Sequence, residues 1–253
     1  MSYQIVDAYS HCGLSKYRPV ENVKDIMQRN GVARAILVQH LGEYDNHYLE
    51  TVVAKEPHQF AGVMHLDVAD LAIDDLLEHW TSKHIFRGIR LLTRTLTTHS
   101  DVWEHASQLG LSFILFDEHS IANHINELSD FAVQHPRTRL VLSHLGVLDM
   151  REAPYFSSHQ QIVALAAHAN IFVQISGMHM FSQPPYTDLV PLIERLWDAY
   201  GPQRLLYGSN YPVMGEDLMY EQEIALLKTG RLGIPVDGLE QVLSRTATEL
   251  WFE

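Results

Sequence analysis

The chain has a single cysteine, Cys12, among 253 residues. No disulfide can form within it, and nothing points to an oxidising compartment. No segment approaches the roughly 20 apolar residues that a membrane-spanning helix needs. The N-terminus MSYQIVDAYS has neither the basic nor the apolar segment of a secretory leader, so a cytoplasmic protein is expected. Basic residues are scarce and never clustered: 18 Lys and Arg against 31 Asp and Glu give a formal charge of −13. That excludes nucleic acid and anionic membranes as expected partners and leaves small molecules, with a homo-oligomer left open. A glycine-rich turn after the first β-rich run is also missing, since SHCGLSKY holds one glycine; a dinucleotide-binding doubly wound sheet is disfavoured. No low-complexity linker or charge run divides the chain, so one domain over residues 1–253 is expected.

What is present is one repeated beat. Short β-rich runs occur at 4–11, 33–40, 60–67, 86–92, 111–117, 139–145, 171–177 and 204–210. Amphipathic segments alternate with them, which predicts βα units around a parallel sheet. After Pro19, Val20, Val23, Ile26 and Met27 keep helical spacing until Gly31. Ser120 is the expected N-cap of a helix running to Pro136, with Ile125, Leu128 and Ala132 on one stripe. Leu189, Leu192, Ile193 and Leu196 mark another helix, and Leu239, Val242, Leu243, Thr246 and Leu250 a closing one. Eight such units in about 250 residues are the size and rhythm of an α/β fold of the (β/α)8 TIM-barrel class.

In such a barrel the chemistry sits at the C-terminal ends of the strands. Those ends read His11, His40, His65, Arg90, Asp117, His144, Ser176 and Asn210. Histidine and arginine are not what turns select for, so this polar ring reads as a site. Tyr9 and His11 lie two residues apart on the first strand and face the same way, whereas Cys12 points oppositely, as a buried small hydrophobe. Most of the other histidines (His58, His79, His99, His105, His124, His135, His159, His168) fall in predicted helices or loops and read as solvated.

IVDAYSHCG, GIRLL, RLVLSHLG, VQISGM and GPQRLLYGSNYPV occur in this order along residues 4 to 214. Together they resemble the amidohydrolase superfamily, and within it the amidohydrolase-2 branch that includes dicarboxylate and sugar-acid lactonases and a lactone isomerase. The resemblance implies a first strand ending Asp-x-His-x-His, a pocket histidine on the sixth and, on the eighth, an aspartate that activates water and can bind metal. It also implies a substrate-binding arginine at Arg90.

Two positions depart from that pattern: Tyr9 stands where the first histidine is implied, and Asn210 where the aspartate is. A phenol with an ordinary pKa of about 10 is a poor ligand for a divalent metal, and a neutral amide cannot accept a proton. His11 and His144 remain, with Asp117, His40 or His65 as further recruits; two assured ligands are fewer than the three of a usual catalytic zinc. No cofactor is expected, a divalent metal being disfavoured. The reading is a metal-independent hydrolase of the lactonase type, opening or rearranging a small cyclic ester. His144, Asn210 and His11 are the candidate catalytic residues; Tyr9, Arg90, Ser176 and Asp117 are the candidate substrate-binding ones. Two alternatives stand beside it: a barrel that binds a small molecule without chemistry, and a lactonase carrying an introduced Asp-to-Asn change.

Overall fold

The computed structural model describes residues 3–213 and 217–253. All eight runs are strands, parallel and in sequential order. They are β1 (Ile5–Ser10), β2 (Val32–Val38), β3 (Phe60–Met64), β4 (Phe86–Leu92), β5 (Ser112–Phe116), β6 (Leu140–Leu142), β7 (Ile171–Ser176) and β8 (Leu205–Gly208). Helices connect them, and Asp217–Lys228 follows β8. The sheet curls into a nearly closed barrel. At the seam between β8 and β1 the ladder reduces, among the described residues, to an isolated bridge between Ser10 and Tyr211.

Local signals act where the sequence places them. The helix Val20–Asn30 starts directly after Pro19, buries Val20, Val23, Ile26 and Met27, and stops where Gly31 turns left-handed at φ 67°. Ser120 does cap a helix, its Oγ accepting the Ala122 N–H at 3.2 Å. That helix is only the 3₁₀ turn Ile121–His124, however, and the α-helix proper runs Ile125–Gln134. β6 ends sooner than expected, because His144, Leu145, Gly146 and Val147 all take positive φ.

Two apolar layers follow from the alternation of the strands. One lies between sheet and helices and includes Cys12, whose thiol burial pushes up to about 12. The other fills the barrel with Val6, Ala8, Tyr9, Ile36, Val63 and Ile114, and is completed by Ala247, Leu250 and Trp251 of the closing helix Thr246–Trp251. Trp251 reaches under the strand starts: a Cβ at Gly88 would lie 2.8 Å from its ring and 2.4 Å from the Ser112 carbonyl oxygen. The glycine of GIRLL therefore makes room for the plug. One histidine departs from expectation: His159 is buried, not solvated, because its helix packs beneath the left-handed turn, and burial lowers its pKa to about 4.

Candidate active site

The C-terminal ends of the strands bring Tyr9, His11, His40, His65, Arg90, His144, Ser176 and Asn210 to one end of the barrel, and all of them are buried. Tyr9 lies at the floor of this group. Its ring packs edge-on against His11 (centroids 5.1 Å apart) and His144 (4.7 Å), with the Arg90 guanidinium 5.8 Å from its centroid. The Tyr9 hydroxyl is buried without a hydrogen-bond partner among the described residues.

Main-chain carbonyls set the histidine tautomers. The Nδ1–H of His11 donates to Val38 O at 2.6 Å, and that of His65 to Arg90 O at 3.0 Å. Each bond leaves Nε2 as the ring's acceptor. Burial, reinforced by the positive charge of Arg90, lowers His11 to about 3. Burial likewise lowers His65 to about 4, and it drives His144 well below the ordinary value, with Arg90 and His11 adding to the effect. All three imidazoles are neutral at neutral pH.

Arg90 is the cation among them. Its Nη1 donates to Gln39 O at 3.2 Å, its guanidinium lies 5.1 Å from the Phe116 centroid, and its Nε is buried without a partner among the described residues. No carboxylate pairs with it among the described residues. A buried charge without a counter-ion is costly, and a ligand anion or a developing oxyanion would supply what is missing. A cavity of about 310 Å³ lined by Tyr44, His65, Asp67, Arg90, Arg94 and Glu118 opens beside it.

His144 and Ser176 meet across β6 and β7, with Nδ1 and Oγ 3.0 Å apart. Asn210 sits at φ 58°, in the left-handed region that Asn and Asp tolerate better than most residues. Its backbone N–H donates to Tyr9 O at 2.8 Å, its Nδ2 lies 3.7 Å from Met180 Sδ, and its side chain reaches His11. Asp117 is engaged elsewhere. Its oxygens accept the Thr93 hydroxyl at 2.8 Å and the N–H groups of His119 (2.9 Å) and Ser120 (3.2 Å), closing the turn after β5.

Two neighbours of the site escaped sequence reading. Tyr17 stacks on His11 (5.0 Å, 18°) and meets His40 edge-on. His179 stands close enough to His144 to depress its protonation, and both of its own ring nitrogens are buried and unpartnered among the described residues. Tyr17 comes from a loop and His179 from the 3₁₀ turn Met178–Met180, where no periodicity marks a residue as facing the site.

Among the described residues, no group of three His, Cys, Asp or Glu side chains is placed to hold a metal ion. Position 9 offers a phenol and position 210 an amide, so the residues present do not fit a three-ligand centre.

Comparison with known proteins bears on the family and the fold. The family description for amidohydrolases matches residues 16–252. A curated relative, the L-fucono-1,5-lactonase of Burkholderia ambifaria, is 28% identical over 204 residues, covering 76% of this chain and 69% of its own. Among solved structures, an amidohydrolase from Burkholderia multivorans with bound zinc has a TM-score of 0.80 at 16% identity, over 98% of each chain. A protein assigned as 2-pyrone-4,6-dicarboxylic acid hydrolase from Pseudomonas putida has a TM-score of 0.79 at 21% identity, over 99% of this chain and 98% of its own. At these identities the solved structures speak for the barrel fold alone.

Proposed function

The chain belongs to the amidohydrolase family, and from that premise we propose that it is a lactonase-like enzyme acting on a small cyclic ester without a metal ion. The observation that carries this reading is Arg90: a buried guanidinium with no acidic partner among the described residues, set among imidazoles that burial keeps neutral. Such a site is short of one negative charge, and attack on a lactone carbonyl creates one. The sugar-acid lactonase among its relatives supports the substrate class.

Arg90 orients the carbonyl and stabilises the oxyanion of the tetrahedral intermediate. His144 handles the proton. In the tautomer that donates Nδ1–H to Ser176 Oγ, its Nε2 takes a proton from the attacking water and returns it to the ring oxygen as the C–O bond breaks. The products are a carboxylic acid, which ionises by releasing its proton to solvent, a hydroxyl group and the neutral imidazole again. Arg90 is among the charges that depress His144. An anion beside Arg90 therefore offsets that charge and makes His144 a stronger base when substrate is bound. Asn210 cannot accept a proton; its amide orients water or the carbonyl beside His11. The same groups serve acyl migration between substrate hydroxyls, where a hydroxyl replaces water as the nucleophile.

The test is turnover of a panel of five- and six-membered lactones, with and without a carboxylate, in ¹⁸O-labelled water. Label in the product acid reports hydrolysis; an unlabelled isomer reports migration. Ligand-induced thermal shifts with no turnover on the whole panel would reject the enzyme in favour of a binder.

A further inference from the structure

Asp7, at the centre of β1, is fully buried and accepts four hydrogen bonds. They come from the backbone N–H of Ser209 (2.8 Å) and of Tyr9 (3.2 Å), both to Oδ1, and from the hydroxyls of Ser209 (2.6 Å) and Tyr220 (3.0 Å), both to Oδ2. Two of the four run from the residue after β8 to β1, across the seam where the barrel has a lone bridge in place of a ladder. Elsewhere each pair of neighbouring strands is held by at least three register pairs.

Other contacts at the seam lie next to these residues. Ser209 Oγ accepts the Tyr211 N–H at 2.9 Å. The Asn210 N–H donates to Tyr9 O at 2.8 Å and the His11 N–H to Tyr211 O at 2.7 Å. Asn210 holds a left-handed φ of 58° immediately beside Ser209, a conformation that the fold around it has to hold in place. Bonds to a carboxylate are stronger than bonds between neutral groups, and two buried main-chain N–H groups have Asp7 as their acceptor.

We propose that Asp7 is a positioning residue of the active site. Its carboxylate fastens the end of β8 to β1 at the barrel seam and so sets Asn210 against Tyr9 and His11. The catalytic half of this inference rests on the lactonase reading; the structural half does not.

The experiment compares Asp7→Ala with Asp7→Asn. Alanine leaves the Tyr9 and Ser209 N–H groups unpaired. Asparagine keeps an acceptor at the Oδ1 position, and its amide can donate to the two hydroxyls. Site-resolved hydrogen exchange is read at the Asn210 and His11 amides, which cross the seam, and at the Ser143 amide, which donates to Leu115 O on the far side of the barrel. In Asp7→Ala, exchange at Asn210 and His11 should rise at least about tenfold relative to Ser143, and kcat should fall while KM for the lactone holds; Asp7→Asn should restore both. Should Asp7→Ala not fold, Ser209→Ala, which removes the Oγ bonds to Asp7, Tyr9 O and the Tyr211 N–H but keeps the Ser209 N–H to Asp7, is expected to give the same local pattern more weakly. Seam amides no faster than Ser143, or an unchanged kcat beside a loosened seam, would overturn the proposal. The exchange measurement needs no substrate. A protein inactive on every lactone would therefore reject the preceding reading and leave the seam role to be decided by the amides.

Discussion

The His144 imidazole is held by Ser176 from the neighbouring strand: Oγ lies 3.0 Å from Nδ1 and also accepts the His144 backbone N–H at 3.1 Å. Gly177 closes the same corner, since a Cβ there would lie 2.6 Å from Nδ1. If His144 moves the proton, His144→Ala should lower turnover by roughly 10²–10⁴-fold. Ser176→Ala, which removes the partner and spares the base, should cost less. Steady-state kinetics on the best lactone decides it, and full turnover in His144→Ala would remove His144 from the mechanism.

The acid limb of the rate profile follows from the same environment. His144 lies well below its ordinary value because burial disfavours the imidazolium, so it remains a base at pH values where a solvated histidine would be half protonated. The kcat/KM profile of the free enzyme should stay flat down through pH 6.5 and fall only at lower pH. An apparent pKa between 6.5 and 7 would contradict this.

Replacing Arg90 tests the charge deficit. Arg90→Ala should lower kcat/KM by about 10²–10³-fold if it stabilises the oxyanion. It should also raise the pKa values of His11 and His144, because the Arg90 charge is among the causes that depress both. Lysine should not restore activity in full, since it lacks the planar fork. Imidazole titration by NMR separates the two effects: unchanged histidine pKa values would place Arg90 farther from the reacting groups than the structure does.

Stability against pH should pass through a maximum near neutrality. Glu223 is raised to about 8 and Asp7 to about 6, chiefly by burial. Both carboxyl groups hold protons in the folded state that the unfolded chain has released, so on their account stability rises as pH falls through those values. Six buried or half-buried histidines (His11, His40, His65, His144, His159, His179) are lowered. The unfolded chain protonates them near 6.5 while the folded chain does not, so below that pH stability falls. Each proton of difference is worth about 1.4 kcal/mol per pH unit, and six histidines outweigh two carboxyl groups. Denaturant midpoints measured from pH 5 to 9 should peak between about 6.5 and 7.5; a steady rise toward pH 5 would contradict the assignment.

The metal question has a gain-of-function test. Tyr9→His combined with Asn210→Asp supplies two ligand types that these positions lack, beside His11 and His144. The double variant should bind zinc stoichiometrically, as measured by elemental analysis after dialysis, whereas the parent protein should not and should keep its turnover in chelator. Zinc bound by both imidazoles of the parent protein would reverse the reading.

Much of this was legible because the signals are local. Strand positions follow from runs of β-branched and aromatic residues, the barrel from eight such runs separated by amphipathic segments, and the end of the helix Val20–Asn30 from Gly31 alone. The polar character of the strand ends, including Arg90, His144 and Asn210, is likewise a property of single positions. The split at Ser120 and the early end of β6 were not legible. A cap signal does not say whether the turn behind it is 3₁₀ or α, and four consecutive left-handed residues after Ser143, of which only Gly146 favours that region, are imposed by packing.

By itself, then, the amino-acid order determined the alternation of elements, the end of the barrel where polar groups gather, and the phenol and amide that stand at positions 9 and 210. Tertiary structure alone decided how the groups are used. It engaged Asp117 in the turn after β5, brought Tyr17 from a loop and His179 from a 3₁₀ turn to the imidazoles, placed no carboxylate against Arg90 among the described residues, and joined the two sides of the barrel seam through Asp7. The reason is physical. Periodicity encodes which face of an element is buried, whereas hydrogen-bond partners and unpaired charges depend on what other parts of the chain deliver to the same few ångströms.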